Sequence, residues 1–471
     1  MNLNIKFRNV NYVGGLYKVI REGKTTFEDP SLNWKEPLGR QTLWNMIGTA
    51  KIPSPIIWAD QGDHLYITLI NGGMPGSGLE DPHTIHLHGA HVATQLDGFP
   101  ESSFGVPMWM DQESTPPAVT YFFQPENPGT YMYHCHVEAH EHVQMGMYGA
   151  LVIYPSIASL AEADIKMDKK GYWSVGCRKQ PQIPRFASHR KFAYNDINTY
   201  YDKEYVMLLS DIDSIWHETV RTTLQTGISF NASNFKPDFW LVNGRAFPDT
   251  ILQHPQTILP APDVNKNLTR INYESYVHVA TNQKFLLRMI NMGYQVVPWH
   301  IHGWHFTVVG KDAHPSPFLK IASHLNTMDH HMMDMGFTCT IGSGETYDLL
   351  LTADDKRPIY NNYIMNSQDG FPSLCDQMME LHHMDPALIA DIPTQPVVCG
   401  DIKTVNYVDL CEKHKFFPQF YPMHNHDDYK VTNTNTKDSP ISSSYPGGQL
   451  TFIQTDGPIP GHDIPGHDGH K

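Results

Sequence analysis

Residues Pro82–Gly89 (PHTIHLHG) and Tyr131–His136 (YMYHCH) each carry a His-x-His pair, and these two stretches organise the rest of the chain. Each has an echo further along, in Val297–Gly303 (VPWHIHG) and Tyr421–His426 (YPMHNH). Duplication of one domain explains this arrangement more simply than chance does. The sequence therefore predicts two related domains with two His-x-His pairs in each.

The segments around these motifs have the character of β-strands. Pro53–Ile70 breaks at Gly and Asp and then alternates apolar and polar residues, as a half-buried strand does. Short strands separated by turns favour a sandwich or barrel over βαβ units. Further strand-like runs are Val119–Phe123, Thr130–His136, Tyr148–Tyr154, Tyr205–Ser210, Trp240–Asn243, Lys284–Ile290, Phe306–Val309 and Tyr347–Leu351.

These runs divide the chain. We predict a first β-domain over residues 1–155, a linker over 156–203 and a second, longer domain with insertions over 204–460. Residues 461–471 form a polar tail with two GHD triplets, for which a disordered terminus is favoured over a metal site.

Composition excludes several classes of protein and favours one chemistry. The 471 residues include 34 Lys plus Arg and 49 Asp plus Glu, a formal charge of −15, which argues against nucleic acid or an anionic membrane surface as the main partner. No apolar run has the length of a membrane span, and residues 1–10 lack the core of a signal peptide. With 28 His and 21 Met but 6 Cys, the chain favours metal chemistry.

Strand geometry, applied to the histidine spacing, predicts two separate metal sites. Because side chains alternate between the faces of a strand, His86 and His88 lie on one face, as do His134 and His136. His83 and Cys135 have the opposite parity and share the other face. His140 and Met145 follow Cys135 by five and ten residues, close enough for a short loop to fold back over the sulfur. Cys135 would then join two metal sites back to back.

Each face suits copper. Two His, a Cys thiolate and a Met are the ligands of a blue-copper electron-transfer site, whereas zinc does not favour Met. Ordinary packing explains a lone Cys–Met pair but not His83, Cys135, His140 and Met145 together. The eight imidazoles of the other face suit three coppers that hold oxygen between them.

At this point the chain resembles the multicopper oxidases, the laccase-like cupredoxin proteins, in PHTIHLHG, HCHVEAHEHVQM and HIHGWH. Softer similarity lies in Phe239–Asp249 and Gly344–Ala353. The resemblance implies an all-β fold of two cupredoxin-like Greek-key β-sandwich domains with extended loops and insertions. It also implies about four coppers per chain. The implied ligands are His83, Cys135, His140 and Met145 for type 1 copper, His86 and His300 for type 2, and His88, His134, His136, His302, His424 and His426 for the type 3 pair.

The chain departs from three-domain laccases because its Cys motif lies in the first block. The second block has Val297 and Asn425 where a type 1 His and Cys would stand, so it should lack type 1 copper. This resembles the two-domain branch, in which the trinuclear cluster forms between subunits, and a closed head-to-tail contact predicts a homotrimer. An alternative alignment places Tyr363–Gln368 (YIMNSQ) opposite YMYHCH and would leave the cluster two histidines short.

The resemblance implies one-electron oxidation of a donor at type 1 copper and reduction of dioxygen to water at the cluster, with Cys135 carrying electrons through His134 and His136. Glu141 and Asp97 stand at positions resembling the family's acidic proton donors, although either is as well explained as a structural carboxylate. Copper nitrite reductase and a non-catalytic blue-copper carrier are the competing interpretations. The donor stays open among phenols, metal ions and small proteins, and family membership implies a periplasmic or extracellular location.

Two further features of the sequence point less clearly to a function. The Met/His-rich segments Met328–Met335 and Met378–Met384 are better explained as packing surfaces than as metal sites, although thioethers favour Cu(I). Five cysteines lie outside the copper motif, so at least one stays unpaired within the chain, and Cys399 with Cys411 is one candidate disulfide.

Overall fold

The protein is described here by a computed structural model. The structure describes residues 17–458 with gaps at 29, 48–51, 74–80, 253–272, 320–333, 390–391, 395–402, 406–407 and 434–444. Most of residues 328–335, Cys399 and the tail 461–471 therefore lie outside the described residues. Within the described part of the chain, no helix has both the length and the apolar character needed to span a membrane.

The first domain is a sandwich of two four-stranded sheets, with strand orders β2-β1-β4-β6 and β3-β8-β7-β5. Strand β4 shows why the sheets pack, since Leu65, Ile67 and Leu69 are buried while the alternate residues are not. The strands are β1 Tyr17–Arg21, β2 Lys24–Phe27, β3 Ser54–Asp60, β4 His64–Ile70, β5 His86–His88, β6 Ala118–Phe123, β7 Gly129–His134 and β8 Tyr148–Tyr154.

The second domain is a larger sandwich, of a sheet ordered β13-β12-β15-β21-β17-β18, with β19 also paired to β17, and a sheet ordered β14-β25-β24-β16-β20. Its core includes Trp299, Leu287 and Met423, which are all fully buried. The strands are β12 Lys203–Ile212, β13 Phe239–Val242, β14 Val277–Ala280, β15 Lys284–Asn291, β16 Val297–Ile301, β17 Phe306–Lys311, β18 His314–Pro315, β19 Met335–Gly336, β20 Thr338–Ile341, β21 Thr346–Thr352, β24 Gln419–Asn425 and β25 Leu450–Asp456.

The predicted all-β fold of two sandwiches is confirmed, and the strand order reveals the duplication. The sheet order β3-β8-β7-β5 of the first domain matches β14-β25-β24-β16 of the second. In both, the outer strand runs parallel to its neighbour. In both, the first histidines of the two motifs are paired across antiparallel strands, His86 with His134 and His300 with His424.

Helices and small sheets lie in the connections. The helices are α1 Pro37–Met46, α2 Ala139–His142, α3 Ile157–Glu162, α4 Ser214–Thr226, α5 Arg357–Met365, α6 Leu374–Met384 and α7 Val408–Lys413. The remaining strands are β9 Ile165–Met167, β10 Trp173–Val175, β11 Arg178–Lys179, β22 Ile392–Thr394 and β23 Lys403–Val405. The predicted linker thus contains α3, a three-stranded sheet and an apolar cluster around Trp173 and Phe192. The domain boundaries themselves stay a prediction.

The two sandwiches pack together around a buried charge. Arg288 of β15 is completely buried, and its guanidinium donates to Glu204 at 2.8 Å and to Thr130 of the first domain at 3.1 Å. Its Nη1 lies 3.5 Å from Asp348, which also accepts from Thr130 at 2.6 Å. A buried cation is tolerated only when it is paired and hydrogen-bonded in this way. The network therefore fixes the two domains relative to each other.

Replacing this cation tests its role. Arg288→Ala leaves Glu204 and Asp348 without their shared partner and should lower the free energy of unfolding by about 3–5 kcal/mol, measured by urea denaturation. Arg221→Ala is the matched control, because it removes an arginine from an exposed ion pair with Glu218 on α4 and should change stability little. Equal losses in the two variants would contradict a specific interdomain role.

Candidate metal centres

Four histidines of the first domain converge at one end of its sheet, and we call them the first quartet. His86 and His134 are directly paired on β5 and β7, with ring centroids 5.1 Å apart. His88 lies 5.7 Å from His134, and His136 lies 5.2 Å from His86. Ligand nitrogens of His86, His88 and His134 all lie within 4.8 Å of one another, which is close enough to share metal ions.

The second domain repeats this arrangement in a second quartet. His300 and His424 are paired on β16 and β24, with centroids 5.6 Å apart. His426 lies 5.1 Å from His300, and the Nε2 atoms of His302 and His424 approach to 3.1 Å. All eight histidines predicted for the cluster are thus gathered into two groups of four.

In the first histidine of each His-x-His pair, one ring nitrogen is hydrogen-bonded to a backbone carbonyl. The Nδ1 atoms of His86 and His134 lie 2.7 and 2.8 Å from the backbone oxygens of Asp97 and Cys135. In the second quartet, Nδ1 of His300 lies 2.8 Å from the oxygen of Phe337, and Nδ1 of His424 lies 2.9 Å from that of Asn425. A carbonyl accepts only from N–H, which leaves Nε2 as the free lone pair. This is the outer-shell pattern of metal-binding histidines.

Burial lowers the pKa of four of these imidazoles and so favours the neutral form, which binds metal. Desolvation lowers the pKa of His134 to about 3. Desolvation and the neighbouring His86 lower the pKa of His88, and desolvation also lowers the pKa of His300 and His302. These four imidazoles therefore offer lone pairs at neutral pH rather than positive charges that would repel a cation.

The two quartets differ in exposure. His134 is buried and the other members of the first quartet are half-buried, whereas His302 and His426 are exposed. Among the described residues, no ring contact or hydrogen bond joins one quartet to the other within the chain. The second quartet thus presents its open side to solvent.

The opposite face of β7 carries a sulfur-centred site. Cys135 is fully buried, and its Sγ lies 3.4 Å from Nδ1 of His142 and 3.9 Å from Nδ1 of His83. Ligand atoms of these three residues lie within 4.8 Å of one another. Burial lowers the pKa of His83 to about 3 and lowers that of His142. The predicted back-to-back arrangement through Cys135 is therefore present.

The structure corrects one predicted ligand of this site, because His142 and not His140 faces Cys135. The chain turns at Glu138, whose φ is 42°, into the single helical turn of α2. Residues two apart on a helix differ by about 200° in direction, so only one of the two histidines can point inward. His140 is exposed, with its ring 6.1 Å from that of Trp216.

The predicted methionine is corrected in the same way. Met147 packs with Cys135 in one buried cluster, and the amide of Cys135 donates to the oxygen of Met147 at 3.1 Å. Met145 instead packs against Trp216 and Val220 of α4. The backbone pairing of Cys135 with Met147 explains the difference, because it places these two side chains next to each other.

The loop that carries His142 is held by the second domain. The side chain of Gln144 donates to the oxygen of Asp211 at 3.2 Å and accepts from the amide of Asp213 at 2.8 Å. The Gln144 carbonyl accepts from Nε2 of His217 on α4 at 2.9 Å. Sequence patterns gave no sign of these contacts, since Gln144 has no ligand role within HCHVEAHEHVQM and His217 lies outside every motif.

The two predicted acidic residues lie in different places. Asp97 lies at the first quartet, with its carboxylate 3.3 Å from Nδ1 of His86. Glu141 lies on the ligand loop of the cysteine site, where burial, and after it Glu138, raises the pKa of its carboxyl. No contact between Glu141 and the first quartet is found among the described residues, so the geometry gives its predicted proton-donor role no support.

The alternative alignment through Tyr363–Gln368 fails. Residues 363–365 end helix α5, whereas Tyr421–His426 lies on β24 opposite His300. In the second domain, Asn425 and Gln449 replace Cys135 and Met147: the Asn425 amide donates to the Gln449 carbonyl, and their side chains are hydrogen-bonded at 2.8 Å. With Val297 in place of His83, the described residues of this domain form no counterpart of the cysteine site.

The candidate disulfide is also corrected, because Cys411 of α7 is bonded to Cys375 of α6. The two helices pack together, which brings these cysteines into reach. Among the described cysteines, Cys177 and Cys339 are free, and Cys135 takes part in no disulfide.

Comparison with known proteins assigns the first domain to a class of copper proteins. Residues 24–156 match the family model of the multicopper oxidases. The first sandwich, with its quartet and its cysteine site, is therefore a multicopper oxidase domain. This match confirms the predicted enzyme class, a copper-containing oxidoreductase. No curated protein matches the sequence.

Several solved structures are similar in fold. The blue copper oxidase from Nitrosomonas europaea is 21% identical over 86% of this chain and 77% of its own, with a TM-score of 0.48. The multicopper oxidase mgLAC is 18% identical over 90% and 83%, with a TM-score of 0.46. A copper nitrite reductase from Nitrosomonas europaea is 16% identical over 64% and 74%, with a TM-score of 0.35. Likenesses at this level carry no argument about activity.

Exchange of the two loop histidines tests the corrected ligand. His142→Ala should abolish the intense visible absorption of a cysteine-ligated cupric ion, because it removes an imidazole 3.4 Å from Cys135 Sγ. His140→Ala should keep that absorption, because its ring lies outside the site. Loss of colour in His140→Ala with retention in His142→Ala would restore the sequence-based assignment.

A second pair of variants tests the methionine. Met147→Leu should raise the reduction potential of a copper bound at Cys135, because loss of the thioether donor would destabilise Cu(II) more than Cu(I). Met145→Leu should leave it unchanged, since this side chain packs against α4. The measurement is a spectroscopic redox titration of both variants beside the wild type, and a shift in Met145→Leu alone would contradict the assignment.

Proposed function

We propose that the protein is a multicopper oxidase that couples one-electron oxidation of a donor to four-electron reduction of dioxygen to water. The observation that carries the proposal is the pair of histidine quartets on equivalent strands, with Nδ1 of His86, His134, His300 and His424 at a backbone carbonyl. Eight imidazoles are the donor set that three coppers need, beside the separate cysteine site.

The residues fit copper at both places. Copper would supply one-electron acceptance at the site of His83, Cys135, His142 and Met147, and oxygen reduction where the quartets meet. We propose His86 and His300 as type 2 ligands, and His88, His134, His136, His302, His424 and His426 as type 3 ligands.

The chain itself links the two places. Cys135 is covalently continuous with His134 and His136, so these bonds would give an electron a short route from a metal held at Sγ to the first quartet. The hydrogen bond between His134 Nδ1 and the Cys135 carbonyl, at 2.8 Å, adds a second connection. Both residues are buried, which excludes water from this path.

Asp97 is the proposed proton carrier. Its backbone oxygen orients His86, and its carboxylate reaches the same ring from a partly exposed position. A carboxylate that touches both solvent and a cluster ligand can accept a proton from water and hold it beside the reaction centre.

We propose that the complete cluster forms between subunits of a homotrimer. In support, the second quartet is open to solvent in the single chain and does not contact the first quartet among the described residues. A head-to-tail contact that brings the second quartet of one subunit to the first quartet of the next would cover both, and such a contact closes into a ring.

Two other functions are less well supported. A copper nitrite reductase needs a mononuclear copper where this chain offers extra histidines, and the alignment that would have removed two of them fails. A blue-copper carrier needs only the cysteine site, so that function would not explain the eight histidines of the quartets. We further propose a periplasmic or extracellular location and a phenol, metal ion or small protein as donor.

Copper content and oxygen consumption test the central proposal. The fully loaded, oxidised protein should contain about four coppers per chain. His134→Ala should lose oxygen reduction by well over about 100-fold, since loss of even an outer-shell partner costs about 10–100-fold, while the blue colour persists. About two coppers per chain, or unchanged oxygen consumption in His134→Ala, would contradict the proposal.

Mixed oligomers test the shared cluster. His136→Ala and His426→Ala should each be inactive alone, because each damages one quartet. Co-expressed chains with different tags should regain about a quarter of wild-type activity in the purified mixture, because random assembly pairs an intact first quartet with an intact second quartet at that frequency. A mixture as inactive as its components would show that the quartets are not shared between subunits.

A further inference from the structure

We infer that a small, positively charged electron-transfer protein docks on the surface over the Cys135 site and is the donor of the proposed oxidase. We call this surface the docking face. It has an apolar centre and an acidic rim, formed by Pro82, Phe104 and Gly105 and by Asp81, Glu138 and Glu141. The inference rests on the proposed function, and it selects one class, a protein, among the donors considered for that function.

The charge of the first domain favours a cationic partner. Residues 52–165, which form most of this domain, contain 13 Asp and Glu and no Lys or Arg. Residues 166–191 of the linker that follows contain eight Lys and Arg and one Asp. A cationic protein is therefore attracted to the first domain and repelled by this part of the linker.

The basic linker lies at the end of the domain away from Cys135. It is tied there by Arg190, whose guanidinium donates to Asp60 at 2.6 Å. Asp60 is paired with Tyr154 at the end of β8, whereas the start of β8 is paired with His134, next to Cys135. The length of β8, about 20 Å, separates these two ends. The charge asymmetry thus directs a cationic partner toward the end that contains the cysteine site.

Three chain segments meet at the surface above this site. The backbone of Val106 is hydrogen-bonded in both directions to that of His83, at 2.8 and 3.1 Å. A Cβ atom at Gly105 would lie 3.0 Å from Pro82 and 3.9 Å from Val137, which belongs to the buried cluster of the cysteine site. Pro82 and Gly105 are exposed, so the surface here lies one residue from a proposed ligand and from its backbone partner.

The centre of the docking face is apolar and accessible. Phe104 stands beside Gly105 with 63% of its surface exposed, whereas Cys135 is fully buried and His142 is 3% exposed. A donor that approaches here therefore meets apolar surface before it meets a ligand. Apolar surface at the point of closest approach is what a protein partner buries on docking, and a hydrated ion gains nothing from it.

The carboxylates of the rim lie close to this centre. Burial lowers the pKa of His142, and the charges of Asp81 and Glu138 oppose that effect, so both carboxylates act on this side of the site. Burial, and after it the charge of Glu138, raises the pKa of Glu141. The rim therefore holds like charges that a cationic partner would relieve.

This arrangement favours a protein over a metal ion as donor. Among the described residues, the groups of side chains close enough to share a metal lie at Cys135 and in the first quartet, and neither contains a carboxylate. An apolar centre with a polar rim is instead the anatomy of a protein interface. The reaction is a single-electron transfer: the donor's metal centre loses one electron to the oxidised Cys135 site, and no bond or proton is exchanged.

Binding of ferric mitochondrial cytochrome c, a small basic haem protein, tests docking without electron flow. In copper-loaded, oxidised protein, Asp81→Asn with Glu138→Gln should raise the dissociation constant by about threefold to tenfold, measured by titration calorimetry at low ionic strength. Glu126→Gln with Glu162→Gln is the matched control. These exposed carboxylates precede β7 and end α3, at the far end of the domain, so the same change in net charge should affect binding little.

The apolar centre is tested by truncation of its aromatic side chain. Phe104→Ala should slow the anaerobic oxidation of ferrous cytochrome c, followed by stopped-flow absorbance, by about fivefold or more, the cost of losing an interface anchor. Phe186→Ala should leave the rate unchanged, because this side chain is equally exposed but lies in the basic linker. Unchanged visible absorption in each variant shows that the Cys135 site is intact.

Several outcomes would overturn the inference. They are absence of binding at low ionic strength, equal weakening in the docking-face and control variants, and binding without oxidation of ferrous cytochrome c. Oxidation of ferrous or cuprous ions, with a KM raised in the docking-face variant and with cytochrome c left unoxidised, would assign the face to a metal ion instead.

Oxygen consumption with phenylenediamine as donor separates this inference from the proposed function. If the protein consumes oxygen with phenylenediamine but does not bind cytochrome c, the docking face alone is wrong. If cytochrome c binds and is oxidised but no oxygen is consumed with either donor, the oxidase proposal is wrong and the docking face stands.

Discussion

The two-residue period of one strand, β7 with its extension to His136, is the constraint on which the rest of the structure depends. Because successive side chains point to opposite faces, Cys135 must face away from His134 and His136. One face therefore collects imidazoles while the other collects the thiol and its partners. Any other local conformation would separate the two sites or place them on one side, and their connection through a single residue would be lost.

Duplication explains both what the domains share and where they differ. Both keep the paired histidines and the carbonyls that orient them, but the second domain fills the space of the cysteine site with polar side chains. Lys430 is buried there, with its ammonium 3.2 Å from the oxygen of Val296 and 2.9 Å from Asp427. A fixed hydrogen-bond network has thus replaced a ligand pocket.

The sequence predicted the fold class and the two quartets because they depend on local periodicity alone. It misplaced two ligands of the cysteine site for a reason that spacing cannot remove. His140 and Met145 are five residues apart, and so are His142 and Met147, so both pairs satisfy the same pattern. Only the left-handed turn at Glu138 and the backbone pairing of Cys135 with Met147 choose between them, and both depend on tertiary packing. The disulfide and the Arg288 network likewise join residues far apart in sequence.

The anchoring of Gln144 by the second domain has a consequence for electron transfer. The loop that presents His142 and Met147 is held through Gln144. Its side-chain nitrogen, its side-chain oxygen and its backbone carbonyl are each hydrogen-bonded to the other sandwich. Ligands held in this way move little when the charge at their centre changes. Under the proposed function, a small structural response would lower the energetic barrier to each electron transfer, so this contact between domains would favour rapid electron transfer.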